Sequence, residues 1–141
     1  MHYAWPVEPL KEPEGVTVNC PDVPEMVTCG WTVAEALEET LDALVTALSF
    51  YADGGRKLPS PSPARGCPVV AVPALVAAKL ALHGAMVRGG VSNVELGRRL
   101  GTDEKAVRRL RDPLHGSRIE MVEAALRALG KRLEVSVRAV A

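Results

Sequence analysis

The sequence predicts an α+β chain in two parts: a small antiparallel sheet carrying one helix, then a helical half closed by a terminal β-strand. Three observations predict it. Short, loosely alternating segments precede one long amphipathic pattern. A seam rich in Pro, Gly and Ser follows. Beyond the seam, start and stop signals for helices recur in close succession.

The seam runs from Asp53 to Pro68 and holds four Pro, three Gly and two Ser in sixteen residues. Proline lacks the backbone donor and fixes φ, so this stretch is expected to be extended and solvated rather than helical. Charge changes sign there too. The chain is formally neutral at pH 7, yet residues 1–63 carry three basic against ten acidic residues, and the rest fourteen basic against seven acidic. An acidic half of about −7 is joined to a basic half of about +7, which points to one cationic and one anionic partner. The division expected is residues 1–55, a linker over 56–68, and residues 69–141.

In the acidic half, His2–Glu8, Val16–Cys20 and Met26–Cys29 read as strands, with Pro21–Pro24 a turn because two prolines cannot sit in a central ladder. A helix follows. Thr32 and Glu35 form a capping box, Leu37, Leu41, Leu44, Leu48 and Tyr51 make one apolar stripe, and Gly54-Gly55 stops it. Glu35, Glu38, Glu39 and Asp42 lie off the stripe. In the basic half, Val69–Val72 reads as a short strand. Pro73 suits the first turn of a helix to about Arg88, with Gly89-Gly90 as its end. Ser117 and Glu120 read as a second capping box, opening a helix with Ile119, Val122, Leu126 and Leu129 inward and Gly130 at its end. Leu133, Val135 and Val137 alternate with polar residues as a half-buried strand.

Composition narrows the class. Hydrophobic residues reach 48%, enough for packed cores, while aromatics are only 4%, so the cores are expected to be aliphatic. No apolar run is long enough for a membrane span and no secretory signal opens the chain, so a cytoplasmic protein without membrane partners is expected. Cys20, Cys29 and Cys67 form no Cys-x-x-Cys pair, and no histidine lies at metal-ligand spacing. No metal site and no cofactor are expected. His2, His83 and His115 are scattered, which suits structural or solvent-facing roles rather than catalysis.

The informative segment is Ser92–Arg111. Ser92 caps a helix from Asn93 to Leu100, Gly101 breaks it, and Thr102 or Asp103 caps a second helix to about Arg111. Two short helices joined by a glycine turn need a small residue where they cross, and Gly97 is placed for it. Leu96, Leu100, Val107 and Leu110 supply the shared apolar contact. This is the helix-turn-helix pattern. Lys105, Arg108, Arg109 and Arg111 are expected on the outer side of the second helix, where they neutralise phosphates or pair with guanine edges. Asn93, at the start of the first helix, is expected to hold a phosphate, and Thr102, at the start of the second, is counted among the DNA-binding residues. Repressors of this type work as dimers. Pairing of Leu133–Val137 with Val69–Val72, within or between protomers, is the expected seam of a homodimer or higher homo-oligomer.

The whole arrangement resembles the HicB family of antitoxins from type II toxin-antitoxin systems. The resemblance lies in Tyr3–Glu8, Pro21–Pro24 and Gly30–Leu37 of the first half. In the second half it lies in Pro73–Leu82, Val107–Pro113 and Leu129–Leu133. One departure is Glu25, where the family commonly has glycine after the Pro-Asp-x-Pro turn. The resemblance implies a partial RNase H-like N-terminal fold that binds a HicA-type toxin, an mRNA-cleaving ribonuclease with a catalytic histidine. It also implies a C-terminal half that binds operator DNA and represses the operon. The acidic half suits a basic toxin, with Asp22, Glu25 and Trp31 as its candidate contacts. No enzyme is expected, because the carboxylates do not converge as a two-metal nuclease needs. The alternative is a stand-alone helix-turn-helix regulator whose first half senses a ligand or protein.

Overall fold

The computed structural model describes residues 1–140. Four strands come first: β1 (Ala4–Pro6), β2 (Glu8–Glu12), β3 (Gly15–Asn19) and β4 (Val27–Gly30). The long helix α1 (Val33–Asp53) follows, then β5 (Val69–Ala71) and the helices α2 (Ala74–Gly89), α3 (Asn93–Leu100), α4 (Glu104–Arg111) and α5 (Ile119–Ala128). The mixed α+β class expected from the sequence is what is found.

β2, β3 and β4 form an antiparallel meander, with Leu10 opposite Thr17 and Val18 opposite Thr28. Val16 and Val18 of β3 alternate inward against α1. The capping box of α1 forms as expected: Glu35 donates its N–H to Thr32 Oγ1 at 3.2 Å, and its own carboxylate accepts from the Trp31 N–H at 2.9 Å. Leu44 and Leu48 are fully buried, whereas Leu37 and Leu41 are only partly so.

The first strand expected over His2–Glu8 is two strands broken at Val7, whose N–H turns aside to the Pro68 carbonyl at 2.9 Å. β2 reads poorly from sequence because Pro9 and three charged residues give it an edge-strand character with mostly exposed side chains. The partner of β5 is β1, with Trp5 opposite Val70. Residues 56–68 therefore do not run free in solvent. Leu58 is 5% exposed within the first core, Trp5 Nε1 donates to the Pro59 carbonyl at 3.2 Å, and both Ser62 N–H and Oγ donate to Asp22.

The terminal strand is absent from the single chain. Residues 131–140 have no ladder partner, and Val135 and Val137 are 79% and 98% exposed. The pairing expected between Leu133–Val137 and Val69–Val72 does not form within the chain; the ladder found on β5 is with β1. The second capping box is also absent. Arg118 precedes α5 without a side-chain cap, because the Ser117 hydroxyl accepts a hydrogen bond from Lys79 Nζ at 2.8 Å instead. Ile119 is accordingly exposed, while Val122 and Leu126 are buried.

Two apolar clusters result, and α2 serves both. Its Leu80 packs with Trp5, Val18, Leu44 and Leu48, while Leu82 and Met86 pack with Leu96, Val107 and Leu126. A helix buried on two sides has little room for an outward polar face, which explains its Ala- and Leu-rich sequence. α2 and α3 meet at 110°, and no single helix among the described residues is long and apolar enough to cross a membrane.

Candidate functional site

The basic surface is built on α3 and α4, each eight residues long. Ser92 caps α3 by accepting from the Glu95 N–H at 3.1 Å, and Asp103 caps α4 by accepting from the Ala106 N–H at 2.8 Å. Gly101 ends α3 at φ 70°, a left-handed turn that favours glycine. The Thr102 N–H then returns to the Gly97 carbonyl at 2.8 Å. A Cβ at Gly97 would lie 2.8 Å from the Thr102 carbonyl oxygen, so the turn sits directly on this glycine. Leu96, Val107 and Leu110 close the contact.

Charges on this surface are unequal. Glu95 of α3 accepts from Arg98 and Arg99, and those two guanidiniums hold its carboxyl down at about 2. On α4, Arg108 reaches back one turn to Glu104 at 2.7 Å, while both groups remain largely exposed. Such surface pairs contribute little stability. Lys105 and Arg109 are exposed and have no carboxylate partner among the described residues. Thr102 is exposed at the turn.

Arg111 and Asn93 differ from expectation. Arg111 is half-buried between helices, where Nη1 donates to Asn93 Oδ1 and Nη2 meets His83 Nδ1, both at 2.6 Å. Burial lowers its pKa. Neither its guanidinium nor the Asn93 carbonyl oxygen is presented to the outside in the manner of Lys105 or Arg109. The structure joins them to each other. Two further polar residues support α4 from below: Lys79, which the sequence reading did not single out, and His83, which it expected to be structural or solvent-facing. Lys79, fully buried, donates to the carbonyls of Arg109, Asp112 and His115 and to Ser117 Oγ. Its ammonium lies at the carboxyl end of α4, where the helix dipole favours a cation. His83, also fully buried, stands one turn later on α2.

The acidic half presents a different surface. Of its three candidate contacts, Asp22 is engaged with Ser62 and Glu25 with two partners of its own. The Tyr51 hydroxyl donates to Glu25 at 2.6 Å and the Arg56 guanidinium lies 3.5 Å from it, so the Glu25 pKa is lowered, chiefly by the tyrosine. Trp31 remains 80% exposed. It borders an open groove of about 600 Å³ whose other walls include Glu12, Glu14, Glu38 and Glu39. Sequence reasoning placed Glu38 and Glu39 off the apolar stripe but did not bring them to Trp31. The β2–β3 hairpin does that, by folding Glu12 and Glu14 next to the start of α1.

The tail runs past α2 and α5 along an apolar groove of about 490 Å³ that includes Ala77, Ala81, Leu126, Leu133 and Val135. Leu133 is partly buried there, whereas Val135, at the groove's edge, and Val137 are largely exposed. Among the described residues no group of three or more His, Cys, Asp and Glu side chains is arranged to hold a metal ion.

The profile of a family described as "HicB_like antitoxin of bacterial toxin-antitoxin system" matches residues 2–81. Among similar proteins, Antitoxin HicB of Pseudomonas fluorescens is 42% identical over 139 residues, which is 97% of this chain and 95% of that one. Antitoxin HicB 2 of Photorhabdus laumondii is 42% identical, spanning 93% of this chain and 94% of its own. Antitoxin HicB of Escherichia coli K12 is 38% identical, spanning 93% and 96%.

Proposed function

This chain belongs to the HicB-like antitoxin family, and on that premise we propose that it neutralises a HicA-type mRNA-cleaving toxin and represses its own operon. The first half takes the toxin and the α3–α4 pair takes operator DNA as a helix-turn-helix. One observation carries the DNA reading: two capped helices packed through Gly97 leave Lys105, Arg108 and Arg109 outward, on the half of the chain with net positive charge. In this reading α4 is the recognition helix, Lys105 and Arg109 are its free cations, and Thr102 contacts a phosphate at the turn. Asn93 and Arg111 serve by holding the two helices in register.

The toxin surface is the groove beside Trp31, which replaces the turn carrying Asp22 and Glu25. An exposed indole flanked by Glu12, Glu14, Glu38 and Glu39 offers an apolar anchor inside a negative field. A ribonuclease that binds RNA is expected to be cationic, and opposite fields steer and orient association. The exposed Val135 and Val137 are the surface for a homodimer, which would bring two recognition helices to adjacent half-sites. The protein is read as a cytoplasmic non-enzyme, divided at the seam of residues 56–68 into a toxin-binding and a DNA-binding part.

Co-expression with the product of the adjacent gene tests both roles in one preparation. Wild-type protein is expected to co-purify with that product as a complex without RNase activity. Trp31→Ala combined with Glu38→Lys should release active RNase while leaving operator binding in place. Lys105→Ala combined with Arg109→Ala should do the reverse. Loss of both activities in either variant would refute the assignment of the two surfaces, and a chain that purifies alone would favour a solitary regulator.

A further inference from the structure

His83 is completely buried and has two partners of opposite demand. Its Nε2 lies 2.6 Å from the Arg56 carbonyl oxygen and its Nδ1 lies 2.6 Å from Arg111 Nη2. A carbonyl only accepts and a guanidinium only donates, so the tautomer is fixed: Nε2 carries the proton and Nδ1 is a bare acceptor. Arg111 in turn donates through Nη1 to Asn93 Oδ1, its Nε is buried without a partner, and among the described residues it forms no salt bridge. The Arg56 side chain turns the other way, 4.1 Å over the Tyr51 ring and 3.5 Å from Glu25. One polar chain thus runs from Glu25, through Arg56, His83 and Arg111, to the first residue of α3.

We propose that neutral His83 is the positioning residue of the α3–α4 surface: it locks Arg111 onto Asn93, ties both to the seam through the Arg56 carbonyl, and releases them when protonated. An imidazolium has no acceptor to offer at Nδ1, and it would face a guanidinium at hydrogen-bond distance. The geometry is therefore possible with the neutral ring only. Other charged groups around the ring do not rescue the cation. Lys79 is one turn away on α2 and is itself a buried ammonium; Asp112, at the end of α4, lies within reach of Lys79. Asp53 of α1 lies across the cleft that Arg111, Arg108 and Asn93 also line, and Glu25 is occupied by Tyr51 and Arg56. Burial first, and then Arg111, lower the His83 pKa against an opposing contribution from the Arg56 carbonyl.

The functional half of the proposal rests on the DNA reading above, and it predicts an unusual sign. Acidification adds positive charge and by itself strengthens attraction to phosphates. Release of Arg111 acts oppositely, because α4 loses its register against α3. The experiment measures binding of a labelled DNA fragment from upstream of the chain's own gene between pH 8 and pH 5.5. It compares wild type with His83→Asn, His83→Gln and Arg111→Ala. Wild-type affinity should fall on acidification, by up to about tenfold at pH 5.5, one unit below the ordinary imidazole pKa of about 6.5. The His83→Asn variant places an amide oxygen near the Nδ1 position, does not titrate, and should bind without that fall. The His83→Gln variant reaches the Arg56 carbonyl but not Arg111 and should bind weakly throughout. Arg111→Ala should weaken binding while leaving the salt dependence unchanged; a slope reduced by about 0.9, as for a lost phosphate contact, would overturn the positioning role. Identical pH profiles for wild type and His83→Asn would overturn it as well. Nitrogen NMR of the imidazole in the free protein decides the lock independently of DNA. An Nε2–H tautomer at pH 8 supports it and an Nδ1–H tautomer overturns it, even if no fragment binds and the DNA reading fails.

Discussion

The sheet-and-helix half and the α3–α4 pair bury their chain by different means. α1 runs for 21 residues over a sheet, and its core is built on apolar side chains such as Trp5, Val18, Leu44 and Leu48. The one buried polar side chain on α1, Thr40, bonds to its own helix at the Ala36 carbonyl. α3 and α4 have eight residues each, too few to be stable alone. They bury Leu96, Val107 and Leu110 against α2 and α5, and Lys79 and His83 reach up from α2 to seize the carboxyl end of α4. The difference teaches where uniqueness comes from. A long amphipathic helix is placed by its apolar stripe, whereas a short cationic helix, whose outer face is spent on charge, is placed by directional polar contacts that tolerate one arrangement only.

The largest effect should come from the apolar side. Trp5 is fully buried, packs edge-on to Tyr3, and spans from β1 to the seam through its indole N–H. Trp5→Ala is expected to cost about 3–5 kcal/mol, read as a shifted urea midpoint. If α2 truly belongs to both clusters, α3 and α4 should unfold in the same transition. A separate, unshifted transition for α4 amides in hydrogen exchange would break the comparison by making the two halves independent.

Next in size is Lys79→Met, which keeps the aliphatic bulk and removes the ammonium. Three carbonyls lose their shared donor. An unsatisfied buried group costs about 1–3 kcal/mol, and part of this is offset because burying the lysine is itself unfavourable, as its lowered pKa shows. A net loss of about 3 kcal/mol in denaturant titration is expected, with lost amide protection centred on α4 and the loop to α5. A variant as stable as wild type would show that apolar packing alone places α4.

Much of this was legible in the sequence, and the unread remainder has a common cause. Local signals carried the helices: the Thr32, Ser92 and Asp103 caps and the Gly101 and Gly130 stops are set by residues a few positions apart. Gly97 was legible because a close helix approach needs it. Contacts between distant residues were not. Nothing local to Val69 announces Pro6 as its partner, and nothing local to Ser117 announces that Lys79 will take its hydroxyl. Arg111 shares its sequence neighbourhood with Arg108 and Arg109, and it is turned inward by His83 and Asn93, 28 and 18 residues away. The acidic groove was half-legible. Glu38 and Glu39 stood out as a polar face, but the hairpin that adds Glu12 and Glu14 was hidden by Pro9 in β2.

Gly97→Val sharpens the comparison from the polar side. The new Cβ would meet the Thr102 carbonyl oxygen at 2.8 Å, a backbone atom that cannot yield without moving the turn. Overpacking of this kind costs about 1–3 kcal/mol. The cost should appear as lost protection of α3 and α4 amides and as weakened DNA binding, with the neutralisation of toxin unchanged.

The smallest effect is also the most discriminating, because it applies one chemical change to both regions. Thr32 caps α1 and Asp103 caps α4 through the same kind of bond, a side-chain oxygen accepting from the N–H three residues on. Removing either cap by Thr32→Ala or Asp103→Ala is expected to cost about 1 kcal/mol in global stability. The local consequence should differ. α1 runs for 21 residues beyond its cap with a sheet beneath it, so its loss is confined to fraying of the first turn, and amides beyond Leu37 should keep their protection. α4 has only two turns, so fraying from Asp103 reaches Val107, the residue that joins it to Leu96. Amide exchange should therefore accelerate along the whole of α4 in Asp103→Ala. If the two variants fray equally, helix length is not what separates the regions, and the buried lysine and histidine beneath α4 hold it as firmly as the sheet holds α1.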